Sequence, residues 1–244
     1  MMGFLLAGRV TSTMTDETLL ELLDGNRDHT ESIPDDHFAA VQDAQHPAAV
    51  SMCCSDSRVS QEGMWDVDEP GWLFTPSNIG NQAWDEVDGE LVVNGNLLYP
   101  VGHTGTDAIA VVGHTGCGAV TATYETVTGE GGDEPPGIAK WVRLLTPVVE
   151  EGLASDAVDN GADDETVVNQ LVEYNVDAQV EFLRESDDIP EDTGVYGFVY
   201  DFQRIYGDVP GRTYLVNRNG ETDTDAIAEV LPEEYEPSVQ RLLD

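Results

Sequence analysis

The sequence predicts an α/β fold with a mainly parallel central β-sheet flanked by helices. Three observations carry that expectation. Short apolar runs at residues 48–54 and 107–113, the second with Ile109, Val111 and Val112, read as buried strands. Residues 165–185 place Val168, Leu171, Val172, Val176, Val180 and Leu183 at helical spacing. Strand-like and helix-like stretches alternate along the chain, as they do when helices cover a parallel sheet.

Taken in order, residues 15–28 predict an amphipathic helix, capped by Thr15 or Asp16, with Leu19, Leu20, Leu22 and Leu23 on its buried side. Strands are expected at 48–54, 71–75 and 107–113. A helix is expected over 119–127, directly after a glycine-rich turn, and a longer one over 165–185. Residues 194–201 alternate as a strand should, and 213–216 can pair with them as a hairpin. The tail predicts short helices at 223–230 and 236–243. Residues 128–137 and 154–164, rich in Gly, Asp, Glu and Pro, read as solvated acidic loops.

The 244-residue chain carries 48 acidic residues against 10 basic ones, a formal charge of -38, and its single lysine is Lys140. Such a field repels nucleic acid and anionic membranes, so neither is expected as a partner. Disorder is not the expectation either, because 40% of the residues are hydrophobic. The composition is similar to that of proteins from salt-accumulating halophilic archaea. Molar salt shrinks the Debye length to about 3 Å, which would screen the acidic surface. The three cysteines, Cys53, Cys54 and Cys117, make no disulfide framework and fit a cytoplasmic location. The N-terminal apolar run is far short of a membrane span and lacks a basic stretch before it. Residues 1–14 read as an N-terminal extension, flexible or preceding a later start at Met14, and 15–244 as a single domain.

Cys54, His114 and Cys117 carry the chemistry. Two thiolates and an imidazole are one ligand short of a closed tetrahedral zinc site, and catalytic zinc sites keep one position open. Cys54 ends one strand and His114 follows another, so the two motifs meet where α/β sheets form their sites. Adjacent cysteines on a strand face opposite ways, which leaves Cys53 outside the ligand set. Asp56 and Arg58 follow Cys54 closely. Asp56 can accept a hydrogen bond at the open position while Arg58 holds it ionised; freed from Arg58, the same carboxylate could bind zinc instead.

The segments Cys54-Ser-Asp-Ser-Arg58 and Gly113-His-Thr-Gly-Cys-Gly-Ala119 resemble the β-class carbonic anhydrases. The likeness runs from about Gln42 to Asp201 and includes the stretch Phe74 to Asn81, Asn175-Val176, and Gly197-Phe-Val-Tyr-Asp201. It implies a β-carbonic anhydrase-like fold and zinc-dependent, reversible hydration of carbon dioxide to bicarbonate and a proton by zinc-bound hydroxide. It implies one Zn²⁺ per subunit on Cys54, His114 and Cys117, with Asp56 and Arg58 as a gatekeeping dyad. A plant-type substrate pocket is implied at Gln45, Phe74, Ile79, Tyr99 and the backbone N–H of Gly118. That set favours a site held open rather than one closed by Asp56. The resemblance also implies a homodimer or a dimer of dimers, with the pocket built at the dimer interface. Two thiolates leave the zinc site at net zero charge, so its water should ionise above the ~7 reached with three histidines.

The chain departs from the family pattern at Ser77, where an arginine is common, and at Leu98, where a glutamate is common. Both changes remove charges near the site or the subunit interface. His103 opens an echo of the second motif, but Thr106 stands where the cysteine should be, so His103 is not expected as a ligand. Hydrolysis of carbon disulfide or carbonyl sulfide on the same ligands, a non-catalytic zinc- or bicarbonate-binding role, and a structural zinc module are the competing readings.

Overall fold

A computed structural model describes residues 14–243. The chain divides between Asp43 and Ala44 into two compact units. The sequence reading divides it after residue 14, and its expectation for residues 1–13 lies outside the described residues.

The first unit contains helix α1, Met14–Ser32. Its leucines correct the expectation of a buried stripe: Leu19, Leu20, Leu22 and Leu23 are 54–69% exposed. An amphipathic helix buries its stripe only against another element, and helical spacing alone does not supply one.

The second unit is built on a mixed, mostly parallel sheet. Strand β1, Ala49–Cys54, leads to the short helix α2, Gln61–Trp65. Strands β2, Leu73–Phe74, and β3, Ser77–Asn78, both run parallel to β1. A separate antiparallel hairpin follows, β4 at Trp84–Val87 and β5 at Glu90–Val93. Asp88 and Gly89 form its two-residue turn, both with positive φ as such a turn requires. Helix α3, Gly95–His103, precedes strand β6, Ala108–His114. Helices α4, Gly118–Thr128, α5, Pro136–Ala154, and α6, Asp164–Glu185, come next. Strands β7, Gly194–Asp201, and β8, Arg212–Arg218, complete the sheet in the order β2-β1-β6-β7-β8. Only the β7–β8 pair is antiparallel, as the hairpin expectation has it.

The tail forms helix α7, Thr224–Glu229, and a 3-10 helix at Glu233–Ser238. The helix expected over 236–243 is therefore a correction. Val239 instead bridges to Leu215, and buried Glu173 on α6 accepts from the backbone N–H groups of Leu242 and Leu243. Those carboxylate bonds hold the last residues extended.

Two glycines set the distance between sheet and helix. A Cβ at Gly113 would lie 2.8 Å from Val176 and 3.0 Å from Val172, and one at Gly197 would lie 2.7 Å from Val176. Helix α6 therefore rests directly on β6 and β7. Its Leu171, Val172 and Val176 join Cys54, Cys117 and Val199 in the main core cluster. Cys53 packs on the other face with Val112, Trp65 and Phe198. The alternation that separates Cys53 from Cys54 thus holds.

Candidate metal centre

Register places the centre. Val50 to Cys53 of β1 pair with Ile109 to Val112 of β6, so the two strands end side by side. Cys54 and His114 sit on those neighbouring ends. After His114 the chain turns through Gly116, whose φ of 62° and close neighbour Gln203 leave no room for a side chain. That turn delivers Cys117 as the residue preceding α4, where the helix's first N–H groups face its sulfur.

Cys54 Sγ and Cys117 Sγ are 3.8 Å apart. With Zn–S bonds near 2.3 Å, two ligands of a tetrahedron stand about 3.8 Å apart, so the sulfurs already hold zinc spacing. Ligand atoms of Cys54, His114 and Cys117 all lie within 4.8 Å of one another, and all three residues are buried. The imidazole is set for the same task. His114 Nδ1 donates to the Thr115 carbonyl at 3.0 Å, which leaves Nε2 with its lone pair. That Nε2 is buried with no hydrogen-bond partner. An orphaned buried acceptor facing two sulfurs fits a metal ion of borderline softness.

The two thiols behave as a pair. The hydrogen bond to Cys117 and burial push Cys54 up. The hydrogen bond from Cys54 holds Cys117 down, against its own burial and helped by the N–H groups of Ala119 and Val120. The hydrogen bond between the two sulfurs thus moves their pKa values in opposite directions. Burial works against protonation of His114, but Cys54 and then Asp56 outweigh it and raise its pKa. Cys53, by contrast, is pushed up to about 12 by burial and has no part in the centre.

Asp56 stands at the edge of this group. Arg58 Nε donates to its Oδ1 at 2.9 Å and Arg58 Nη2 to its Oδ2 at 2.6 Å, while the Arg58 backbone N–H adds a third bond at 2.9 Å. This fork holds the carboxyl well below the usual carboxylate range. Asp56 Oδ2 is 3.6 Å from His114 Nε2, too far for a hydrogen bond, and the carboxylate is not among the converging ligands. Arg58 Nη2 also reaches the Gly116 carbonyl at 3.3 Å.

The other residues singled out from the sequence divide into two places. Ile79 and Gly118 lie at the centre's border: Gly80, next to Ile79, directs its N–H at Cys54 Sγ at 3.4 Å, and Gly118 opens α4 with free space before it. Phe74 and Tyr99 are not beside the sulfurs. Phe74 pairs with Val50, four residues before Cys54, or about 13 Å along the strand. Its ring is 6.2 Å from that of the half-exposed Tyr99, whose ring lies 5.2 Å from that of His103, tilted by 42°. Gln45 is exposed ahead of β1.

The sequence reading gave no role to the supports on α6, naming Asn175 only within the likeness and Asn169 and Gln179 not at all. Asn169 Oδ1 accepts the Gly116 N–H at 2.9 Å, Asn175 Nδ2 donates to the Gly80 carbonyl at 3.3 Å, and Gln179 Oε1 accepts the Ala83 N–H at 2.7 Å. Their common signal is a polar side chain on the helix face that otherwise reads as core.

Adjacent parallel strand ends carry Cys54 and His114, and Cys117 joins them from the turn before α4, so an α/β sheet edge presents a Cys/His/Cys group that could hold a metal ion. The chain belongs to the carbonic anhydrase family, which matches residues 49–207, well over half its length. Its fold is similar to that of the β-carbonic anhydrase CcaA, with TM-score 0.67, 21% identity and coverage of 84% of this chain and 89% of that one. It is also similar to the β-carbonic anhydrase CafA of Aspergillus fumigatus, with TM-score 0.65, 21% identity and coverage of 90% and 95%. A tetrameric β-carbonic anhydrase of Sordaria macrospora matches with TM-score 0.62, 20% identity and coverage of 84% and 98%. Comparison with curated proteins finds no match. Among the described residues, no helix is long and apolar enough to cross a membrane.

Proposed function

We propose that this chain binds one zinc ion on Cys54, His114 and Cys117 and catalyses the reversible hydration of carbon dioxide to bicarbonate and a proton. The observation that carries the reading is the combination of zinc-spaced sulfurs with an Asp56 carboxylate held off them by Arg58. Family membership supplies the reaction class. Zinc, when bound, supplies a Lewis acid that makes water nucleophilic near neutral pH.

The chain's own residues do the rest. Cys54 and Cys117 would hold the ion as thiolates, and the N–H groups at the start of α4 and of Gly80 would stabilise their charge. Thr115 fixes the His114 tautomer through Nδ1. Asp56, kept ionised by Arg58, would accept a hydrogen bond from a water beside it and so fix that water's orientation. Ile79 and the Gly118 N–H border that position and bind the substrate's apolar and oxygen ends.

Gln45, Phe74 and Tyr99 complete the pocket in this reading, but from a second copy of the chain. The placement of Phe74 about 13 Å up the strand from Cys54, with Tyr99 beside it, supports that assignment. The tetrameric state of the Sordaria protein supports a homo-oligomer. The acidic composition supports a cytoplasmic enzyme of a salt-accumulating organism, folded in molar salt.

The deciding experiment is stopped-flow carbon dioxide hydration by zinc-loaded protein in molar salt, across pH 7–9. Turnover that Cys54→Ala and Cys117→Ala abolish together with zinc binding supports the reading. A zinc-loaded protein with no hydration, or a zinc-free variant with full activity, overturns it.

A further inference from the structure

Phe202, just past the end of β7, belongs to none of the roles above, yet it touches two of the centre's groups. Its ring stacks on the His114 imidazole, with centroids 5.9 Å apart and planes 27° from parallel. The Arg58 guanidinium carbon sits 4.6 Å from the centre of the same ring. At that distance a cation is attracted by the negative face of the aromatic ring.

The loop that carries Phe202 is itself held. Buried Asp201 accepts from Thr115 Oγ1 at 3.3 Å, from the Gln203 N–H at 3.0 Å and from the Tyr206 N–H at 2.8 Å. Gln203 lies across Gly116, where a Cβ would meet its Oε1 at 2.6 Å. Residues 201–206 are therefore fastened over the turn between His114 and Cys117, and Phe202 has a fixed perch there.

Arg58 needs such a perch. Its side chain is 49% exposed, and an exposed arginine–carboxylate pair is weakly held because water competes for both partners. Two restraints besides Asp56 act on the guanidinium: the Gly116 carbonyl and the Phe202 ring.

We propose that Phe202 is a positioning residue, whose ring holds the Arg58 guanidinium in the pose that grips Asp56 and so keeps that carboxylate off the metal position. The proposal rests on the reading of Asp56 given under the proposed function. It predicts that the unpaired fraction of Arg58 rises about two- to fivefold when the aromatic face is removed, the factor an exposed cation–π contact commands.

Hydrogen exchange of the Arg58 Nε–H, followed by NMR in the zinc-loaded full chain at molar salt, reads that fraction directly. Phe202→Leu should raise the Arg58 exchange rate two- to fivefold. Phe202→Trp, which keeps an aromatic face, should leave it at or below the parent's. The Nε–H of Arg241, ion-paired with Glu173 at 3.2 Å, serves as the reference for general loosening and should not change. An unchanged Arg58 rate in Phe202→Leu overturns the proposal, as does an equal rise at Arg241 or the same rise in both Phe202 variants. The reading of Asp56 is judged separately: parent-like hydration by Asp56→Asn overturns it and the consequence drawn for the metal position, whereas loss of turnover in Asp56→Asn with an unchanged Arg58 rate in Phe202→Leu overturns only the role of Phe202.

Discussion

Arg58 grips both carboxylate oxygens of Asp56, at 2.9 and 2.6 Å, and that carboxylate is not among the ligand atoms that converge at Cys54, His114 and Cys117. The grip comes from residues two positions apart on one short loop, so it needs no other element to form. Arg58→Ala should release Asp56 to swing toward the metal position. Zinc should stay bound while the hydration rate falls by at least tenfold, and azide should bind the cobalt-loaded variant more weakly than the parent. A parent-like rate would show that the grip does not matter for turnover.

Removing the metal should cost stability as well as activity. An ion that binds only the folded state stabilises it by about 2.7 kcal/mol at a hundredfold excess over Kd. A strong chelator should therefore lower the melting temperature in molar salt, and zinc should restore it. Cys117→Ala should melt like the chelated parent and respond to neither treatment.

Gly113→Ala should weaken the contact between sheet and helix. The added Cβ would sit 2.8 Å from one Val176 methyl and 3.0 Å from one of Val172. Overpacking of this kind costs about 1–3 kcal/mol, measurable by denaturant unfolding. Because His114 is the next residue, zinc affinity should fall with it.

Glu173 gives a pH dependence whose sign can be fixed. It is fully buried, and burial raises its pKa above the ordinary 4.5 despite Arg241, Tyr206 and two backbone N–H groups. An acid raised on folding contributes stability below its unfolded value, and that contribution is lost as pH rises through the folded one. Glu173→Gln should flatten the fall in stability that begins near pH 4.5. Glu173→Ala should instead destabilise at every pH, by about 3 kcal/mol, because it leaves Arg241 short of a buried partner.

Salt should control folding. With 48 acidic residues against 10 basic ones, self-repulsion is unscreened in dilute buffer. Dilution from molar to about 50 mM salt should unfold or inactivate the protein. Full activity at the lower value would refute this.

The ligands and their strands were readable because each depends on local pattern. Apolar runs bounded by Cys54 and His114 could only be buried strands, and their shared edge followed from parallel order. Other elements were hidden by conflicting local signals. Helix α5 carries Pro147 in its interior and starts within an acidic, glycine-rich stretch, so its Leu144, Leu145, Val148 and Val149 were overlooked. The hairpin at Asp88-Gly89 carried a turn signal that the reading passed over. The exposed leucines of α1 show the opposite failure, since helical spacing says which residues share a face but not whether anything covers it. Phe202 was beyond reach because its role depends on Arg58, which is distant in sequence and adjacent only in the folded chain.

Helix α6 holds both loops of the centre from a single rod. Asn169 ties down the Gly116 turn, and Asn175 ties down Gly80 beside Cys54. The two thiolates therefore share one foundation although they arise from separate motifs. A substitution that shifts this helix along its axis would carry both supports together and preserve their spacing. A twist about its axis would instead break both anchors at once.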